Sequence, residues 1–222
     1  MPNSQTQIFT IGHSNHSASV FISMLQQHRI DAVADVRSAP YSRFVSQFDR
    51  KSLGPLLDEA NVAYVYVGEE LGGRPSDPEL YDPNGHACYR RMAQTESFEN
   101  GLERILEGSS RYRLALMCSE EDPLQCHRTL LVAHELWQRD VHVSHIRACR
   151  ETGESRIETH TEALERLVQM HDLNQGMMIA SDGGIVDQLH GTSAIYETAV
   201  ERQREQVAYT SDRKPSVSGE VR

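Results

Sequence analysis

Short apolar runs alternate along the chain with stretches where apolar residues recur every three or four positions, a pattern that predicts strands separated by helices. Residues 7–11 read as a buried strand ending at Gly12-His13-Ser14-Asn15. Ser17 is placed to cap a helix running to Arg29, with Val20, Phe21, Met24 and Leu25 on one face. Residues 30–34 read as a second strand, stopped after Asp35-Val36-Arg37-Ser38 by Pro40. A short helix over 50–60 brings Leu53, Leu56 and Leu57 inward, and 63–67, β-branched and aromatic, is a third strand. Gly72-Gly73 then reads as a turn, and the Pro-, Asp- and Gly-rich stretch over 74–86 as an excursion over the sheet. Helical periodicity returns over 97–107. Residues 113–117 are a fourth strand, 129–139 a helix, 141–146 a fifth strand, and Thr152-Gly153 a turn. Thr159 is placed to cap a last regular helix through Met170.

Five strands alternating with helices predict an α/β fold: an open, mostly parallel five-stranded sheet with helices on both faces, in a single domain over residues 1–171. Beyond Asp172 the periodicity fades. Residues 172–222 read as a polar C-terminal extension, marginally helical over 194–208 and polar enough at its end to be disordered, so its removal is expected to leave the core folded.

Composition narrows the function classes. A formal charge of −10 argues against broad nonspecific binding to nucleic acid, although it leaves room for a local basic pocket. No apolar run approaches the roughly 20 residues that cross a bilayer, and the amino terminus has no apolar export segment. Membrane partners are therefore not expected. Cys88, Cys118, Cys126 and Cys149 form no CxxC pair, so they read as reduced thiols of a cytoplasmic protein, with a Cys118–Cys126 disulfide as the alternative. The oligomeric state is not encoded in any of these patterns.

Parallel strands share a polarity, so the residues that follow them converge at one edge of the sheet. That edge collects His13, Ser14 and Asn15, then Asp35, Arg37 and Ser38, then Glu69 and Glu70, then Cys118 and Glu120. The richest segment is 118–128, which holds Cys118, Glu120, Glu121, Asp122, Cys126, His127 and Arg128. A thiol beside an imidazole, a guanidinium and a helix start is favoured as thiolate, which makes Cys126 the candidate reactive thiol. Cys118, Cys126, His127 and His13 are also donors that suit a metal ion such as zinc, although the spacing matches no familiar zinc module. Arg37 and Arg128, with Ser38 and the amides opening the 129–139 helix, are suited to clamp an anion. The bland alternative pairs Asp35 with Arg37 and Glu120 with Arg128 as structural ties. Tyr41, Tyr64, Tyr66 and Tyr81 read as packing residues or as stacking surfaces for a base.

The segments IGHSN, DVRSAPYSR, LGGRP and MCSEEDPLQCHR together resemble the domain of unknown function 488 family, over roughly residues 7–170. The resemblance implies a compact α/β fold. It places His13, Asp35, Arg37, Ser38, Cys118, Glu120, Cys126, His127 and Arg128 on signature positions, and it brings no reaction with it. DVR is also similar to rhodanese-like domains, but the ten residues from Cys118 to Arg128 are too long for their closed cysteine loop, and for that of tyrosine phosphatases.

The expectation is a cytoplasmic enzyme acting on an anionic substrate, with a nucleotide or nucleic-acid end among the options. Its catalytic groups would be Cys118, Glu120, Cys126 and His127, and its binding groups His13, Ser14, Asp35, Arg37, Ser38 and Arg128. The alternatives are a non-catalytic nucleotide- or nucleic-acid-binding module, and a partner-binding protein whose thiols are structural.

Overall fold

The computed structural model describes residues 6–149, 154–173 and 188–211. Its centre is one six-stranded sheet of β1 (Gln7–Gly12), β2 (Ala32–Asp35), β3 (Ala63–Tyr66), β4 (Leu114–Cys118), β5 (His142–Ala148) and β6 (Ser155–Thr159). The spatial order is β3-β2-β4-β1-β5-β6. The first five strands are parallel, and β6 runs antiparallel beside β5. Every residue of β2 and β4 is buried, because helices cover both faces.

The faces divide by side-chain alternation. Phe9, Ile11, Val33, Ala115 and Met117 point into one core with Phe21, Met24 and Leu25 of α1 (Ala18–Gln27) and Leu53 and Leu57 of α2 (Arg50–Glu59). Ile8, Ala32, Ala34, Leu114, Leu116 and Cys118 point into the other. That second face is covered by α3 (Gly68–Leu71), α4 (Tyr89–Met92), α5 (Glu96–Ser109), α6 (His134–Trp137), α7 (His160–Met170) and α8 (Gln188–Val207). The chain leaves β2 toward the first face and β4 toward the second. Their ends therefore splay apart, which opens a crevice at the carboxyl edge.

The expected α/β architecture is present, with three differences. First, the sheet has six strands. β6 escaped the hydrophobic pattern because an edge strand is free to be polar: Ser155, Arg156 and Glu158 occupy it, and Ile157 is 40% exposed. The turn read at Thr152-Gly153 lies outside the described residues. Second, the segment expected as a uniform helix begins as a π-helix, Arg128–Ala133, and only then becomes α6. The Leu130 carbonyl accepts the Nε proton of Arg204 at 2.8 Å. Third, the extension is not outside the core. α8 buries Ala199 and Val200 and packs against α7, while Gln203 donates to the Leu124 carbonyl at 2.9 Å. The segment following it forms an isolated bridge to the end of the 74–86 excursion, His86 opposite Thr210, and next to it Ala87 N donates to Tyr209 O at 2.9 Å. The α7 start is as read, with Thr159 and Glu162 forming a reciprocal capping box.

Candidate functional site

A cavity of about 310 Å³ opens at the carboxyl edge between the ends of β2 and β4. Cys118, Ser119 and Glu120 form one wall, Gln125, Cys126 and His127 the floor, and Arg37 and Ser38 the opposite wall. Arg74, Tyr89 and Tyr209 reach it from three remote segments. This size falls within the usual range for small-molecule sites.

The Cys118–His127 loop is held rigidly. Asp122 caps a 3-10 turn, Pro123–Gln125, by accepting from Leu124 N at 3.0 Å, and both of its oxygens take 2.9 Å bonds from Arg166. The Arg128 guanidinium, fully buried, donates to the Glu120 and Glu121 carbonyls at 2.6 and 3.0 Å and to Thr10 Oγ1 at 3.4 Å. Gly12 lets β1 pass under this loop. A Cβ there would meet the Glu120 carbonyl oxygen at 1.8 Å, so only glycine fits.

Within the cavity the reactive groups converge. His127 Nδ1 lies 3.6 Å from Cys118 Sγ and 4.0 Å from Cys126 Sγ. Its Nε2 is 2.9 Å from the Val36 carbonyl, which can only accept, so that nitrogen carries a proton. Cys126 Sγ also accepts from the Arg128 amide at 3.4 Å. Both sulfurs are buried, whereas Glu120 is an exposed residue whose Oε2 dips to 3.1 Å from Cys118 Sγ.

The two thiols differ in electrostatics. Burial, followed by the neighbouring Cys126 sulfur, pushes the Cys118 thiol up. Burial opposes ionisation of Cys126 too, but the Cys118 thiol, Arg128 and His127 outweigh it and hold Cys126 well below the usual thiol value. Desolvation, then the Cys126 sulfur, raises the Glu120 carboxyl. A protonated Cys118 donating to Glu120 beside a Cys126 thiolate is the charge arrangement these shifts describe.

Cys118, Glu120, Cys126, His127 and Ser38 come together as expected, but the other expected residues take different places. His13 is not part of the donor cluster. Its Nδ1 bonds the Ser14 carbonyl at 2.8 Å, its Nε2 meets Arg37 Nη1 at 3.1 Å, and its ring stacks on Phe48. The donor cluster is Cys118, Cys126 and His127, whose ligand atoms lie within 4.8 Å of one another. Ser14 does not line the cavity; it makes a tight turn at φ 48° and donates its amide to Ser119 O. Asp35 is a buried support that takes two bonds from the Arg37 guanidinium, at 2.9 and 2.7 Å, one from the Arg37 amide at 3.1 Å and one from the Tyr64 hydroxyl at 2.7 Å. Arg37 shows one edge to the cavity but is tied to Asp35 and the Phe48 carbonyl. Arg128 lies behind the loop, bonded to its carbonyls, not to the Glu120 carboxylate and not exposed to an anion. Glu69 and Glu70 share the edge but line a neighbouring cavity of about 570 Å³.

Sequence reasoning missed Arg74 and Tyr209. The exposed Arg74 guanidinium lies 4.6 Å over the Tyr209 ring at the cavity wall, and its amide donates to Ser38 Oγ at 2.9 Å. LGGRP held the signal for Arg74. The role of its glycines is close approach rather than turning, since a Cβ on Gly73 would sit 2.7 Å from His127 Cγ. Nothing local signals Tyr209, which the docking of α8 delivers. Of the tyrosines considered, Tyr41 alone lines this cavity, 72% exposed. Tyr64, Tyr66 and Tyr81 spend their hydroxyls on Asp35, Ser38 O and Pro75 O.

Cys88, Cys118 and Cys126 are free thiols, and among the described residues no helix is long and apolar enough to cross a membrane. No curated protein and no solved structure matches the chain. A family model does match, over residues 17–134, which runs from the N-cap of α1 to the first residue of α6 and contains the whole donor cluster. The chain belongs to the family described as domain of unknown function DUF488.

Proposed function

We propose that the chain is a cytoplasmic enzyme that acts on a substrate carrying an anionic group, and that Cys118, Glu120, Cys126 and His127 supply its chemistry. The observation that supports this most is the clustering of two thiols, an oriented imidazole and a carboxyl in the lining of one cavity that is open to solutes. Core packing requires no such mixture, and perturbed titratable groups concentrated in a cleft are the mark of a site that does chemistry. Glu120 is the group that moves a proton: burial and the Cys126 sulfur raise its carboxyl above the usual carboxylate value, and it reaches the cavity. The donor set below it serves hydrolysis or group transfer at an electrophilic centre.

The anionic group of the substrate meets Arg74, with the Ser38 and Ser42 hydroxyls beside it. The segment 36–52, from which Tyr41 and Ser42 line the cavity, carries Arg37, Arg43, Arg50 and Lys51 against the single carboxylate Asp49, in a chain of net charge −10. Such a local reversal of sign steers anions to the opening. Tyr41 and Tyr209 add flat faces on which a base stacks, so nucleotides and single-stranded nucleic-acid ends are the first substrates to try.

The test is to incubate the full chain with nucleotides, short single-stranded oligonucleotides and phosphomonoesters and to read products by mass spectrometry. Turnover that Glu120→Gln abolishes while binding persists supports the proposal. Binding without turnover by the unaltered chain would instead establish a binding module.

A further inference from the structure

We infer that Cys118 Sγ, Cys126 Sγ and His127 Nδ1 hold a zinc ion whose fourth position faces the cavity; this deepens the enzymatic reading of the same site by naming its cofactor.

Three independent observations carry the inference. The first is distance. Zinc binds sulfur at about 2.3 Å and nitrogen at about 2.0–2.1 Å, so a tetrahedral ion sets sulfur and nitrogen about 3.6 Å apart. The structure has them at 3.6 and 4.0 Å, and all three ligand atoms lie within 4.8 Å of one another. Both sulfur–nitrogen separations are thus within a few tenths of an ångström of that geometry.

The second is the orientation of the imidazole. Metal-bound histidines characteristically give their second ring proton to a carbonyl or carboxylate, which fixes the ring and leaves the other nitrogen as the ligand. His127 does this with the Val36 carbonyl at 2.9 Å, and the remaining nitrogen faces both sulfurs. The Arg128 amide donating to Cys126 Sγ is the matching outer contact on the thiolate.

The third is the chemistry of the donor set, two thiols and one imidazole. Soft sulfur donors with one imidazole select zinc over magnesium or calcium.

The number of donors distinguishes a catalytic from a structural centre. Structural zinc is closed by four protein ligands, whereas catalytic zinc has three and an open position. Here three donors line the cavity, and Glu120 stands beside them as the proton carrier rather than as a member of the set. Such an ion supplies Lewis-acid activation of water or of a substrate oxygen.

The full chain, purified without a His-tag, is loaded with Zn²⁺, desalted and assayed for metal by mass spectrometry. In parallel, Co²⁺ is added and the absorption spectrum recorded. About one equivalent per chain is expected, with tetrahedral ligand-field bands and a thiolate-to-cobalt charge-transfer band. Cys126→Ser and His127→Asn are expected to lose both, Glu120→Gln to keep both, and Cys88→Ser to match the unaltered chain. Circular dichroism establishes that each variant is folded, and Cys118→Asp provides a second ligand variant whose cobalt band shifts rather than disappears. Substoichiometric zinc, or cobalt without a charge-transfer band, overturns the proposal. Zinc bound with no turnover of any substrate overturns the enzymatic reading alone, whereas full turnover by metal-stripped chain overturns the metal proposal alone.

Discussion

The Val36 carbonyl accepts the Nε2 proton of His127 at 2.9 Å, and this single bond turns Nδ1 toward both cavity thiols. Val36 directly follows β2, and His127 precedes the π-helix after β4. The bond therefore ties together the two strand ends whose divergence makes the cavity. A backbone acceptor holds the ring here, so the ring is vulnerable to whatever presses on its other side.

Gly73 presses on that side. Its Cα approaches so closely that an added Cβ would lie 2.7 Å from His127 Cγ. Gly73→Ala is expected to fold with unchanged circular dichroism but to displace the ring and weaken zinc by about 10- to 100-fold, as loss of an outer support does elsewhere. Competition with a chromophoric chelator measures this. Unchanged affinity would show that the ring has room to yield.

Arg128 is expected to matter for folding more than for substrate. Arg128→Met leaves the Glu120 and Glu121 carbonyls without their donor and should cost about 3 kcal/mol in urea unfolding. Arg128→Lys retains the charge without the fork and should recover only part of it. An effect confined to substrate affinity, with stability unchanged, would return Arg128 to the role of anion clamp.

Removal of residues 188–222 is expected to lower the thermal midpoint and to broaden the transition. α8 covers the π-helix, and Arg204 and Gln203 satisfy the Leu130 and Leu124 carbonyls beneath it. The same truncation removes Tyr209 from the cavity. A sharp transition at the original temperature would mean that the helix contributes nothing to the core.

His160 should make the protein acid-sensitive. It is fully buried between His145, His134 and Trp137, and burial, then the His134 charge, lowers its pKa from 6.5 to about 3. The unfolded chain takes up a proton as pH falls below about 6.5, while the folded chain refuses it until about 3. The neutral ring's contribution is therefore complete above the unfolded value and is lost as pH falls through that window, by up to roughly 5 kcal/mol. His160→Gln should flatten the decline in urea midpoint between neutral and acid pH, leaving the share due to His145, which burial likewise lowers. A variant with the same slope would assign the acid sensitivity elsewhere.

How much of this was legible depended on how far each feature reaches beyond its own segment. The strands with both faces covered announced themselves, as in Leu114-Ala115-Leu116-Met117, since burial on two sides leaves no place for polar residues. β6 did not, because its one free edge and exposed Ile157 relax that demand. The grouping of Cys118, Glu120, Cys126 and His127 was legible because all four follow β4 within one loop, and strand polarity placed that loop at the same edge as the end of β2. Arg37 and Arg128 were legible as charges near the site but not as structural ties, because their acceptors are Asp35 and main-chain carbonyls whose placement only the folded chain defines. Arg74 and Tyr209 lie 135 positions apart, and nothing in either neighbourhood specifies the 4.6 Å stacking that brings them to the cavity.

Differential alkylation tests the central claim, that Cys118, Cys126 and His127 act as one metal-binding unit facing the cavity, most directly. The zinc-loaded full chain is treated with limiting iodoacetamide near neutral pH, with and without a chelator, and labelled peptides are identified by mass spectrometry. Cys88 and Cys149 serve as references that a chelator should not affect. The expected result is that Cys118 and Cys126 resist labelling until the chelator is added, after which Cys126, the more readily ionised thiol, labels before Cys118. Labelling of Cys126 at the same rate with and without chelator, or of both thiols only after denaturation, would contradict it.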